Sequence, residues 1–378
     1  MSLSKIWLSS PHMGGNELKY IHEAFDSNWV APIGANIDGF ELDLENYLQE
    51  NSNVAVLNSG TAAIHLGLML LGVQAGDEVI CQSLTFSASV NPVIYIGATP
   101  IFVDSELQTW NICPVALEKA IIDRIQKGKK PKAIVTVHLY GMPFLIEQVC
   151  AVAAKYDIPI LEDSAEAMGS LYKGQRCGTF GAIGVLSFNG NKIITTSGGG
   201  ALVAQSRTMK EKAIFLATQA RDQAPHYQHS EIGYNYRMSN ISAGIGRGQM
   251  EVLELRVAQR RKMHEFYTRI ISLIPGVSLL KEPNSDYFSN FWLTTLLIDP
   301  TIQNKTSHDL RIAFGEANIE SRPFWKPMHL QPVFAHYPYY GERIAETLFD
   351  QGLCLPSGSN LTDTDRQRIE NVLVDFFN

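Results

Sequence analysis

The chain is poor in cysteine, in basic charge and in long apolar runs. Its five cysteines, Cys81, Cys113, Cys150, Cys177 and Cys354, are an odd number scattered through 378 residues without paired spacing. That excludes a disulfide framework and offers no zinc or dithiol motif, so no metal is expected and a reducing, cytoplasmic compartment is. The longest apolar stretches, such as 64–73, stop far short of the roughly 20 residues that span a bilayer, so no membrane association is expected. The first residues show no apolar stretch of the signal-peptide kind, so no export is expected. With 31 Lys and Arg against 38 Asp and Glu the net charge is −7, which gives no basic field for a nucleic acid. The one basic run, Arg256, Arg260, Arg261 and Lys262, has helical spacing and reads as a solvated helix face. No linker of low complexity and no fixed-period repeat interrupts the chain.

What is present is the composition of a folded α/β protein, 45% apolar and 18% charged, in a chain long enough for one large domain and a smaller one. Between residues 50 and 205 short β-rich runs (54–58, 78–82, 100–104, 133–139, 158–162, 184–188, 201–204) alternate with helical patterns (61–71, 87–96, 114–127, 144–156). That rhythm predicts a mostly parallel sheet covered by helices, with later connections running strand to strand. Apolar residues recur at helical spacing from Asn240 to about Ile271, predicting one long or kinked helix between domains 1–250 and 251–378, ended by Pro275-Gly276. The remainder reads as α+β: a strand at 290–298, a helix at 307–317, an Arg/Trp-rich loop near 320–332 and a last helix capped by Thr362 with Asp365.

Three motifs carry chemistry. Asn58-Ser59-Gly60-Thr61-Ala62-Ala63 is a strand end, tight turn and helix start whose outward N–H groups and hydroxyls suit a phosphate, or are an ordinary N-cap. In 158–166 an apolar strand delivers two acidic residues, Glu162 and Asp163, at its carboxyl end, where open α/β sheets bind ligands. A carboxylate there keeps a cofactor's ring nitrogen protonated, or caps a helix. In Ser187-Phe188-Asn189-Gly190-Asn191-Lys192, a lysine stands in a Gly-flanked turn before Gly198-Gly199-Gly200. A crowded lysine there is a Schiff-base nucleophile; a lone one is merely solvated. Together the three describe a phosphate cradle, a ring-nitrogen carboxylate and an imine-forming lysine.

With these motifs, the chain resembles the pyridoxal-phosphate sugar aminotransferases of the DegT type over nearly its whole length. The shared wording includes Gly60-Thr61-Ala62-Ala63, Thr85-Phe86, Gly97-Ala98-Thr99-Pro100, His138-Leu139-Tyr140-Gly141, Glu162-Asp163-Ser164-Ala165, Ser187-Phe188 through Lys192, Gly233-Tyr234-Asn235-Tyr236-Arg237 and Arg322-Pro323-Phe324-Trp325-Lys326-Pro327-Met328-His329. The resemblance implies a fold-type I, aspartate aminotransferase-like large domain with a smaller α+β C-terminal domain. It implies pyridoxal 5′-phosphate bound to Lys192, with Asp163 at the pyridine nitrogen and Ser59, Gly60, Thr61 and Ser187 at the phosphate. Phe86 falls where the family stacks an aromatic ring on the cofactor, and Asn235 where a side chain crosses to the partner's cofactor phosphate, implying a homodimer with shared active sites.

Glu166 and Asn189 stand where many members carry Gln and His, so both are expected beside the cofactor with altered charge. The intact Lys192 separates the chain from the family's histidine-bearing dehydratases. The wording 187–200, with Ser9-Ser10-Pro11-His12-Met13, looks like the branch that aminates C4 of UDP-2-acetamido-2,6-dideoxy-4-hexuloses for bacillosamine-type surface glycans. The implied reaction is a ping-pong transfer from L-glutamate to the sugar nucleotide, with Tyr236, Arg237, Arg322, Trp325, Lys326 and His329 as sugar-nucleotide contacts. Amination at C3, a dTDP- or GDP-linked substrate, and a non-catalytic cofactor-binding regulator are the alternatives.

Overall fold

The computed structural model describes residues 4–49 and 51–378; the leaderless reading of the start rests in part on residues 1–3, which lie outside them. Seven five- or four-residue strands come first: β1 (Asn53–Leu57), β2 (Glu78–Gln82), β3 (Thr99–Val103), β4 (Ala133–Val137), β5 (Ile160–Asp163), β6 (Ile183–Ser187) and β7 (Gly200–Ala204). Five more follow: β8 (Val277–Leu279), β9 (Thr294–Ile298), β10 (Arg322–Pro323), β11 (Tyr339–Tyr340) and β12 (Gly352–Leu355). The helices are α1 (Glu17–Asp26), α2 (Ala35–Leu48), α3 (Gly60–Leu70), α4 (Asn91–Tyr95), α5 (Pro114–Gln126), α6 (Ile146–Lys155), α7 (Arg207–Ala217), α8 (Asn240–Met250), α9 (Leu253–Ile271), α10 (Ser307–Glu316), α11 (Ile344–Gln351) and α12 (Asp363–Phe377).

The main sheet has the order β1-β7-β6-β5-β4-β2-β3-β11. From β6 to β11 all neighbours are parallel, while β7 alone runs antiparallel to both β1 and β6. Strand alternation divides the side chains between two covered faces. Ala55, Val79, Val135, Leu161 and Val185 pack against α3, α4 and α7. On the other face Val54, Val56, Leu186 and Val203 meet α2, α8 and α9, and Ile80, Ile101 and Ile134 meet α5 and α6. The expected helix-covered, mostly parallel sheet is therefore present.

A second sheet, β8-β9-β12-β10, packs with α9, α10 and α12 around Phe314, Leu296, Leu355 and Ile369, and Ile6 from the N-terminal segment joins this core. Its last helix carries the expected capping box of Thr362 with Asp365. Short strands at Leu171–Tyr172, Gln175–Arg176 and Tyr287–Phe288 form a third sheet.

The apolar pattern from Asn240 gives the long helix in its kinked form, α8 and α9 separated at Glu251-Val252, and Gly248 within α8 lets α1 approach closely: a Cβ there would lie 2.7 Å from the Glu17 nitrogen. Two expectations change. Helix 87–96 shortens to a 3₁₀ turn, Ser87–Ser89, followed by α4. The basic run is not a solvated face. Arg256 and Arg260 are buried, Arg261 lies over the Phe288 ring and pairs with Glu282, and Lys262 is exposed.

Candidate active site

A cavity of about 380 Å³ opens at the carboxyl ends of the parallel strands, between α3, the β6–β7 connection and the loop after β10. Ser59, Gly60, Thr61, Phe86, Asp163, Glu166, Ser187, Asn189, Lys192 and Trp325 all line it.

The cradle is built from backbone. Ser59 caps α3, its Oγ accepting from the Ala62 N–H at 3.1 Å, and leaves the remaining N–H groups of the first turn directed toward the cavity end. Small residues are needed here for close approach. A Cβ on Gly200 would lie 2.4 Å from the Gly60 nitrogen, and one on Gly60 would meet Ser187 Cβ at 3.1 Å. The Thr61 and Ser187 hydroxyls stand at the same end.

Strand alternation separates the acidic residues. Glu162 points away from the cavity and holds the following turn, accepting from Gly178 (2.5 Å), Phe180 (2.7 Å) and Gly181 (2.9 Å) N–H groups and facing His138 Nε2 at 2.7 Å. Burial would raise its pKa, but the His138 contact and those amides hold it below the ordinary carboxylate value. Asp163 faces in. Ser89 Oγ donates to its Oδ2 at 2.7 Å and the Ala165 N–H to its Oδ1 at 3.1 Å. Ser89's one hydrogen is thus used, so Thr85 Oγ1 donates to Ser89 at 2.8 Å. Burial pushes the Asp163 carboxyl up, and these hydrogen bonds pull against it.

Lys192 Nζ lies 3.5 Å from Glu166 Oε1 and 4.1 Å over the Trp292 ring. Glu166 Oε2 accepts from the Tyr140 N–H at 2.7 Å, with Tyr140 in the left-handed region at φ 56°. Burial raises the Glu166 pKa, and the Lys192 ammonium opposes the rise. Phe86, 54% exposed, is a wall of the opening and not a core ring; its ring meets Trp325 edge-on at 5.8 Å.

The other residues singled out stand elsewhere. Asn235 is exposed, and its carbonyl accepts from Asn58 Nδ2 at 3.1 Å. Tyr236 stacks on Tyr234 and faces His65 Nδ1 at 3.2 Å, while Arg237 is taken up by Glu41 and the Val56 carbonyl. Arg322 pairs with Glu320, and Lys326 is exposed beside Trp325. His329 is held by Ser83 Oγ at 2.7 Å and Glu346, stacked on Tyr339. Burial lowers its pKa.

Sequence reasoning missed Ser89 and Trp292. The hydroxyls of Thr85 and Ser89, four residues apart beside Phe86, were a readable signal. Trp292, in an apolar run before β9, was indistinguishable from core.

The donor set fits pyridoxal phosphate: a helix N-terminus with hydroxyls for a dianion, a buried carboxylate for a cationic ring nitrogen, and an amine in the same cavity. The chain matches the DegT/DnrJ/EryC1/StrS aminotransferase family over residues 11–374. It is 48% identical over 377 residues to EpsN of Bacillus subtilis (strain 168), named as a pyridoxal phosphate-dependent aminotransferase, covering 99% of this chain and 96% of that one. To the GDP-perosamine synthase of Escherichia coli O157:H7 it is 38% identical over 355 residues, 93% of each. The crystal structure of the aminotransferase TlmJ from Streptoalloteichus hindustanus superposes with a TM-score of 0.88 at 26% identity, covering 97% of both chains. The chain belongs to the DegT/DnrJ/EryC1/StrS family and is a pyridoxal phosphate-dependent sugar aminotransferase.

Proposed function

We propose that this enzyme moves the amino group of L-glutamate to C4 of a UDP-linked 4-keto-6-deoxy N-acetyl sugar by a ping-pong mechanism, in the cytoplasm, toward a bacillosamine-type surface glycan. The observation that carries the aminotransferase half is the convergence of Lys192, Asp163 and the Ser59–Thr61 cradle on one cavity. When bound, pyridoxal phosphate supplies the electron sink for both halves of the reaction. Ser59, Gly60, Thr61 and Ser187 hold its phosphate, Phe86 covers its ring and Asp163 keeps its ring nitrogen protonated. Lys192 would bond the cofactor and, with its amine free, would serve as the general base and acid that takes the proton from the donor Cα and delivers one to the sugar C4. Glu166 and Asn189 stand beside the reacting end.

For the sugar nucleotide, Trp325 offers a ring face within the cavity, and Arg322 and Lys326 offer cations for a diphosphate at its edge. Tyr236, Arg237 and His329, in this chain engaged by His65, Glu41 and Ser83, complete the proposed sugar-nucleotide contacts. In this reading residues 1–250 carry the cofactor, residues 251–378 close over the substrate, and Asn235 of one protomer of a homodimer reaches its partner's cofactor phosphate. One finding favours a second substrate: a relative covering 93% of the chain is named GDP-perosamine synthase, so a GDP-linked sugar is the competing reading.

The test is single-turnover loss of the pyridoxamine form with UDP-, GDP- and dTDP-linked 4-keto and 3-keto sugars, with the product identified by mass and NMR. Return of the visible imine band with the UDP-linked 4-keto sugar alone supports the proposal. Return with the GDP-linked sugar moves the nucleotide assignment, and return with a 3-keto sugar moves the carbon. No return with any of them leaves the non-catalytic regulator.

A further inference from the structure

Arg260 on α9 is 1% exposed, and among the described residues it makes no ion pair. Burying an unpaired guanidinium is costly, so something must be gained by keeping it. Two of its donors are used with good geometry: Nη1 donates to the Trp292 carbonyl at 2.7 Å and Nη2 to Ser9 Oγ at 2.8 Å. Both recipients then close on one atom. Ser9 Oγ donates to the Asn191 carbonyl at 2.6 Å, and Trp292 Nε1 donates to that same carbonyl at 2.8 Å. Asn191 immediately precedes Lys192, and the Trp292 ring is the one over which the lysine amine lies at 4.1 Å.

We propose that Arg260 is a positioning residue for Lys192: from a helix outside the cavity it clamps Ser9 and Trp292 onto the peptide that carries the reacting amine. The inference rests on the reading of Lys192 as the cofactor-bonding residue. The neighbouring Arg256 makes the contrast. It is also buried, though less deeply, one turn away, but donates to the His12 and Met13 carbonyls and to Gln259, and reaches neither Ser9 Oγ nor Trp292. A merely structural cation is what Arg256 represents. Burial, with Arg256 close by, brings the Arg260 pKa down to about 9, as expected of a cation without a counter-charge.

The experiment compares Arg260→Gln, Arg260→Lys, Arg256→Gln and Ser9→Ala in the full chain. Hydrogen exchange of segment 188–199 in the cofactor-free protein reads the clamp without any cofactor chemistry. Stopped-flow imine formation with pyridoxal phosphate and the visible dichroism of the band read its effect on the amine. Arg260→Gln is expected to raise exchange in that segment, slow imine formation about tenfold and weaken the dichroism, with Arg260→Lys partly restoring both. Arg256→Gln is expected to lower Tm and leave the band and its rate unchanged. Equal effects of Arg256→Gln and Arg260→Gln on exchange and rate would overturn the proposal, as would a wild-type rate in Arg260→Gln. If Arg260→Gln does not fold, Ser9→Ala decides: faster exchange with slower imine formation upholds the clamp, and wild-type values in both reject it. Failure of the wild-type protein itself to form an imine would instead remove the reading of Lys192, leaving the exchange comparison to judge the clamp.

Discussion

Three carboxylates within five residues meet three different fates. Glu162 is stabilised as an anion by His138 and backbone N–H groups, whereas Asp163 and Glu166 are pushed toward the neutral form by burial. The signs for stability are opposite. A depressed pKa contributes stability above the ordinary carboxylate range that is lost as pH falls through the folded value; a raised pKa contributes stability at low pH that is lost as pH rises through the folded value. In the cofactor-free protein, Glu166→Gln is therefore expected to raise Tm at pH 7–8 relative to wild type, with the gain vanishing near pH 4. Glu162→Gln is expected to lower it at pH 7, with the deficit shrinking in acid. Calorimetry across that range checks both. Lys192→Ala is expected to abolish the visible imine band and cut kcat on the order of 10³-fold or more. A band that survives the substitution would remove the assigned role. Lys192, Asp163 and Thr61 were legible in the sequence because each is polar at the end of an apolar run. Trp292 was not, since its function lies in what stands above the ring, and Lys192 precedes it by 100 residues.

Among the elements, α3 does the most with the least. Its capped first turn stands between β1 and β7, close enough that Gly200 has no room for a methyl group against Gly60. Gly200→Ala is expected to cost about 1–3 kcal/mol by overpacking and, because the displaced atoms are the cradle itself, to raise the Kd for pyridoxal phosphate more than tenfold; titration of the visible band measures it. Ser59→Ala removes a cap worth about 1 kcal/mol and one phosphate contact, so a smaller loss in both readouts is expected. The β1–β7 strands and the helices over them were legible from alternation of short apolar runs with helical patterns. The position of the break between α8 and α9 was not, because the apolar period continues through Glu251-Val252. The burial of Arg256 and Arg260 was hidden for a related reason: charge alone does not say which face of a helix is covered.

At the scale of the molecule, the proposed shared sites make assembly a measurable part of catalysis. Lys192→Ala and Asn235→Asp are each expected to be inactive alone. Mixed and allowed to exchange protomers, they give dimers with one intact site, so about a quarter of wild-type activity is expected to return. A mixture that stays inactive while exchange is confirmed by mass spectrometry would mean each protomer is self-sufficient. The sheet itself has a further consequence. The lysine-bearing connection leaves β6 at Ser187 and returns in β7 at Gly200, and these two residues are directly paired. Unlike the helical crossovers that join the parallel strands, this segment begins and ends at one point of the sheet. Between those ends Ile193 and Ile194 are buried in the core shared with α2 and α9, and the Thr195 N–H donates to Gln249 on α8, so the segment is tied to the helices along its middle. The residue that performs the covalent step thus sits in a connection whose two ends are fixed by one strand pair, so a side-chain change at position 192 alone alters the chemistry without moving the scaffold that holds the phosphate and the ring.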